Sequence, residues 1–132
     1  MVFIYLLENH AKYGPAAVFV FDRIRRPGHS AVTSTITLTE LLVPLYKQEH
    51  AEASGLRIRL ETYPNLEWIP PHTGIADLAA QFRARYQLRT PDALHAATAL
   101  SAEATGFVTN DRQFDRVAEF ETFQLDSLLP GA

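Results

Sequence analysis

Thr90-Pro91-Asp92-Ala93-Leu94-His95-Ala96-Ala97-Thr98-Ala99-Leu100, followed closely by Gly106-Phe107-Val108-Thr109-Asn110-Asp111, is the stretch that decides the fold. Thr90 offers a capping hydroxyl, Pro91 suits the first helical position, and Asp92 would face the positive end of the helix dipole. From Asp92 to Ala104 alanine and leucine dominate, as expected of a helix packed closely on a sheet. Gly106–Thr109 then reads as a brief strand with Asp111 directly behind it.

The same alternation runs through the rest of the chain. Ala31–Ser34, Leu66–Ile69 and Thr122–Leu125 read as short strands. Leu38, Leu41, Leu42, Leu45 and Tyr46 recur at helical spacing, as do Ile75, Leu78, Ala79, Phe82 and Tyr86. Val18, Phe21 and Ile24 mark a further helix, ended by the Pro27-Gly28 turn. Strands separated by helices imply right-handed crossovers and a parallel sheet covered on both faces: an α/β fold. Ligand sites in such sheets lie beyond the carboxyl ends of the strands.

The chain has 132 residues, the size of one domain, and it contains no internal repeat or linker. With 47% apolar and 20% charged residues it has an ordinary globular composition. No apolar run approaches the ~20 residues of a membrane span. The apolar N-terminus lacks the basic flank and cleavage site of a signal peptide. Cysteine is absent, which excludes disulfides, thiolate zinc sites and a cysteine nucleophile and suits a cytoplasmic protein. The net charge of −3 weighs against a nucleic-acid partner, because phosphate neutralisation dominates such binding. Bound metal ions or a basic partner subunit would offset that repulsion.

Three carboxylates stand at expected helix starts: Glu40, Asp92 and Asp111. Each has a purely structural explanation. Thr37 and Glu40 match a capping box, Asp92 belongs to a helix start, and Asn110-Asp111 could be capping turn residues. Asp111 follows a strand directly, however, and Glu40 follows one closely. If the helix of Asp92 packs beside the same edge, the three acids converge beyond the strand ends. Clustered carboxylates repel unless a cation neutralises them. Hard ions such as Mg2+ and Mn2+ prefer oxygen ligands and suit phosphodiester hydrolysis.

Taken together, Val2-Phe3-Ile4-Tyr5-Leu6-Leu7-Glu8, Thr39-Glu40-Leu41-Leu42, Thr90 to Ala99 and Thr109-Asn110-Asp111 resemble the PIN-domain family, particularly VapC-like ribonuclease toxins of toxin–antitoxin systems. The similarity spans nearly the whole chain, in order and spacing. It implies a single PIN domain over residues 1–132, an α/β/α sandwich with a parallel central sheet, and Mg2+- or Mn2+-dependent cleavage of RNA. It further implies homodimers and inhibition by an antitoxin whose tail enters the active-site groove. Glu40, Asp92 and Asp111 match three of the family's acidic, metal-binding positions. Thr109 matches a small hydroxyl residue beside the last acid, and Asn110 its usual companion.

One departure concerns the start. The family's first acid ends an opening strand, and Met1 aligns two positions after it. The expectation is a coding start several codons upstream, adding a short apolar strand that ends in aspartate. A chain beginning at Met1 would then show a gap in its sheet, or strands that close over it. It would be insoluble or aggregated, and any soluble fraction would lack metal-dependent cleavage. The alternative is a truncated, inactive variant.

Other residues read more plainly. His95, one turn after Asp92, is expected to be packed or hydrogen-bonded rather than catalytic. His10, His29, His50 and His72 show no metal-ligand spacing. Asp115 reads as a solvated position with accessory ligation as its alternative. Arg89 and Arg112 could hold phosphate or form surface ion pairs. Trp68 is expected to fill core beside the sheet. Two rivals to the nuclease reading are a PIN-like module that binds a partner or RNA without cutting it, and another Mg2+-dependent phosphohydrolase on a doubly wound sheet.

Overall fold

The computed structural model describes residues 14–49 and 51–128. The readings placed on Val2–Glu8, His10 and His50 lie outside them. Helix α1 (Gly14–Ile24) buries Ala16, Ala17 and Phe21. It ends in a turn where Gly28 takes φ 83°, a left-handed conformation that glycine adopts without steric cost. Carbonyls at this end accept from side-chain donors. Asn65 Nδ2 donates to Ile24 O at 2.8 Å and Tyr63 Oη to Phe21 O at 2.8 Å.

Strand β1 (Ala31–Ser34) pairs in parallel with β2 (Leu66–Ile69), Ala31 opposite Leu66 and Ser34 opposite Ile69. The crossover between them carries α2 (Ile36–Lys47) and α3 (Ala53–Glu61), which bury Leu41, Leu42, Ala53, Leu56 and Leu60 against each other. Trp68 packs on this cluster and donates from Nε1 to Leu60 O at 3.1 Å, the core role expected of it. Helix α3 was not anticipated. Its apolar residues follow helical spacing, but Arg57, Arg59 and Glu61 dominate the segment.

Helices α4 (Thr73–Tyr86) and α5 (Thr90–Ser101) form a tight hairpin. Gln87 turns the chain at φ 57°, and Leu88 beside it is 1% exposed. Arg83 ties the hairpin, donating to Leu88 O and Thr90 Oγ1, both at 3.0 Å. Strand β3 (Gly106–Thr109) then pairs in parallel with β4 (Glu121–Gln124), through a short 3-10 turn at Arg112–Arg116. The last strand is thus one residue earlier than expected. Glu121 enters the ladder opposite Gly106, and Leu125 is fully buried in a following turn instead.

Ile75, Ala79, Phe82, Leu88, Ala93, Ala96, Ala97, Phe114 and Val117 make the main core. Helix α5 packs on both β1 and β3, so it spans the two strand pairs. Among the described residues those pairs are separate ladders rather than one continuous sheet. No described helix is long and apolar enough to cross a membrane.

Candidate active site

Helix α5 starts at Thr90 with Arg89 before it, and neither side chain caps it. The capping role read into Thr90 is therefore not realised: its hydroxyl accepts from Arg83 instead. Asp92 lies in the first helical turn with its side chain 17% exposed. Its Oδ2 accepts from Arg89 Nε at 3.3 Å, and Arg89 is otherwise open to solvent.

Asp111 follows β3 and does cap, as anticipated: its Oδ1 accepts the Gln113 backbone N–H at 3.0 Å. Its own N–H donates to the buried Thr109 hydroxyl at 3.1 Å. Gln124, buried on β4, donates to Asp111 O at 3.2 Å and to Asp115 Oδ1 at 2.9 Å. The Asp111 backbone is thus held from both strands of its ladder. Asp115 is exposed and turned to Gln124, and Arg112 forms a surface ion pair with Asp126 at 3.2 Å. Asn110 is half-buried beside Asp111.

Asp92 and Asp111, 19 positions apart in number, meet through one group. Gln113 Nε2 donates to Asp92 Oδ2 at 3.3 Å and to Asp111 Oδ2 at 2.5 Å. Since one nitrogen reaches both oxygens, they are separated by no more than those two legs end to end, about 5.8 Å. Glu40 sits on α2, where the Thr37 hydroxyl bonds Thr33 at 3.0 Å and no side chain caps the helix. The expected capping box does not form. Glu40 Oε1 instead meets His95 Nε2 at 2.8 Å. His95 and Asp92 stand three residues apart on α5 and so share one helix face. All three acids are therefore tied to that face, Asp92 directly, Asp111 through Gln113 and Glu40 through His95.

Among the described residues no three acidic or histidine side chains are gathered closely enough to hold a metal ion. His95 occupies Glu40, and the Gln113 amide bridges the other two acids. The Asp92–Asp111 pair nevertheless fits a hard divalent ion, which is commonly held by one or two carboxylates while keeping several waters. Sequence reasoning passed over Gln113 and Gln124, for glutamine carries no motif. It named His95 as bonded, which it is, without its partner.

Parallel strands, a helix spanning both ladders and acids at a strand end and a helix start define an α/β protein with its site where such folds bind ligands. The chain belongs to the PIN domain family, whose model matches residues 1–120. The PIN-like α/β/α fold is shared with three solved structures. The toxin-antitoxin complex from Klebsiella pneumoniae matches at TM-score 0.71 and 21% identity, over 94% of this chain and 92% of that one. VapBC2 from Rickettsia felis, bound to a DNA fragment from its promoter, matches at 0.69 and 19%, over 93% and 92%. VapBC-1 from nontypeable Haemophilus influenzae matches at 0.70 and 21%, over 94% and 92%. No curated protein matches the sequence.

Proposed function

We propose that this PIN domain is an endoribonuclease that works with a divalent cation, Mg2+ or Mn2+, and that it is the toxin of a toxin–antitoxin pair. The observation that carries the reading is the meeting of Asp92 and Asp111, their facing oxygens within reach of one amide nitrogen. Family membership supports nuclease chemistry. When bound, such an ion stabilises charge on phosphoryl oxygens and activates water. The residues that would hold it are Asp92 and Asp111, with Glu40 joining from α2. Thr109 fixes the backbone from which Asp111 projects. Arg89, largely in solvent beside Asp92, is available to a substrate phosphate. Asn110, Arg112 and Asp115 flank the pair as accessory contacts. Oxygen ligands holding a divalent cation also reconcile a net charge of −3 with a polyanionic substrate.

The likeness to toxin–antitoxin complexes supports a protein inhibitor as partner. Leu38, Leu42, Val43, Tyr46 and Arg57, with Thr35 and Thr39, line a groove on α2 and α3, and Val43 and Tyr46 are exposed large apolar residues. That groove, with apolar side chains rimmed by Thr35, Thr39 and Arg57, is the surface offered to the inhibitor. The reading extends to a homodimer acting in the cytoplasm.

The test is cleavage of single-stranded RNA by the purified full-length protein. Cleavage should require Mg2+ or Mn2+, stop with EDTA and disappear in Asp92→Asn, which keeps shape and removes charge. One observation favours a second reading, a PIN module that binds RNA or protein without cutting: no three ligating side chains are gathered together among the described residues. RNA binding without metal-dependent cleavage would establish that alternative.

A further inference from the structure

Gln113 makes more contacts to the paired acids than any other described side chain. Its backbone N–H reaches Asp111 Oδ1 at 3.0 Å, and its amide reaches Asp111 Oδ2 and Asp92 Oδ2. A side-chain amide nitrogen carries two hydrogens, one for each carboxylate. The residue is held in place from below. Its 3-10 turn is pinned by Phe114, 4% exposed, with Val117 just beyond at 3%, both in the main core. Asp92 Oδ2 also receives Arg89 Nε, so both donors approach one oxygen. Among the described residues no hydrogen bond reaches Asp92 Oδ1.

We propose that Gln113 is a positioning residue for divalent-cation binding, holding Asp92 Oδ2 and Asp111 Oδ2 toward one another so that Asp92 Oδ1, which no described donor reaches, is left for the ion. The proposal rests on the reading that those two acids hold the cation. Two carboxylates this close repel, and with no donor between them they would swing apart. A lysine or arginine in this place would also join them, but it would cancel the negative potential that draws in a cation. A neutral amide joins them and leaves the charge of the pair intact. Partners that orient metal ligands in this way are commonly worth 10- to 100-fold in metal affinity, roughly.

The experiment is Mn2+ binding, measured by calorimetry and by loss of the free-ion paramagnetic resonance signal, on the wild-type chain, Gln113→Ala and Gln113→Met. Methionine keeps the length and volume without the donors, so it guards against misfolding in the alanine variant; circular dichroism checks both. Both variants should bind Mn2+ about 10- to 100-fold more weakly. The Mn2+ concentration for half-maximal RNA cleavage should rise by the same factor, with KM for RNA at saturating Mn2+ unchanged. Unchanged Mn2+ affinity in folded variants would overturn the role of Gln113 and leave the site reading standing. Tighter binding would also overturn it, since the amide would then be an obstacle. A wild-type chain that binds no Mn2+ would remove the site reading and this inference together.

Discussion

His95 Nε2 lies 2.8 Å from Glu40 Oε1, joining two helices across 55 residues of sequence. A carboxylate only accepts, so this bond needs hydrogen on Nε2. It fixes the one acid that the Gln113 amide does not reach. Helix α5 therefore gathers the site from both sides: Asp92 directly, Asp111 through Gln113, and Glu40 through His95.

His95→Ala should lower metal-dependent cleavage by about 10- to 100-fold while the far-ultraviolet dichroism stays unchanged. His95→Gln, which restores an N–H donor of similar reach, should recover most of it. Single-turnover rates at fixed Mn2+ decide the matter, and equal rates in wild type and His95→Ala would remove any role for the bond.

Asp111 has two tasks that substitutions separate. Asp111→Asn keeps an oxygen for the Gln113 N–H and so should fold with nearly wild-type stability, yet lose cleavage by at least ~10³-fold, several kcal/mol of transition-state stabilisation. Asp111→Ala should lose cleavage equally and also destabilise by about 0.5–2 kcal/mol, the cost of a lost cap. Urea unfolding of the two variants measures the difference. Equal stabilities would mean that the capping bond contributes nothing.

Tyr63 sets an alkaline limit. Burial raises its hydroxyl above the ordinary 10.0, with the Arg25 charge opposing and Asp22 adding to the rise. The folded chain thus holds this proton more tightly than the unfolded chain does. The associated stability is complete below pH 10 and is lost as pH rises through the folded value. Ionisation would also end the bond to Phe21 O. Thermal melts between about pH 9 and 11 should fall more steeply for wild type than for Tyr63→Phe; parallel slopes would refute the assignment.

The groove between α2 and α3 carries the partner prediction. Tyr46, 62% exposed, should tolerate Tyr46→Asp with the fold and RNA cleavage intact. Co-expressed antitoxin should then fail to relieve growth arrest, because the substitution removes the aromatic ring's apolar contact area and puts a charge that must be desolvated in its place. Full relief would move the antitoxin to another face.

Much of the fold was legible because it rests on local periodicity. The strands at Ala31, Leu66 and Gly106 and the long helices stand where alternation and helical spacing put them. Helix caps were less legible. Thr37 and Thr90 fit capping patterns, yet their hydroxyls bond Thr33 and Arg83, partners supplied by neighbouring elements rather than by the local chain. The candidate acids could be named from position alone. The Gln113 bridge could not, because it exists only once α5 has packed beside β3 and brought Asp92 to within reach of the turn after Asp111.

That closeness has its origin in what α5 lacks. Ala93, Ala96 and Ala97 are all fully buried on the helix that also carries Asp92 and His95. A larger residue at any of them would lift the helix from its neighbours, typically at about 1–3 kcal/mol, and would carry both site residues with it. The two sides of α5 are therefore unequal in kind. On the side of Asp92 and His95 a substitution alters a candidate ligand or its partner and leaves the scaffold standing. On the alanine side, growth by even a few carbon atoms displaces Asp92 and His95 from a distance, so their placement depends on residues that touch neither.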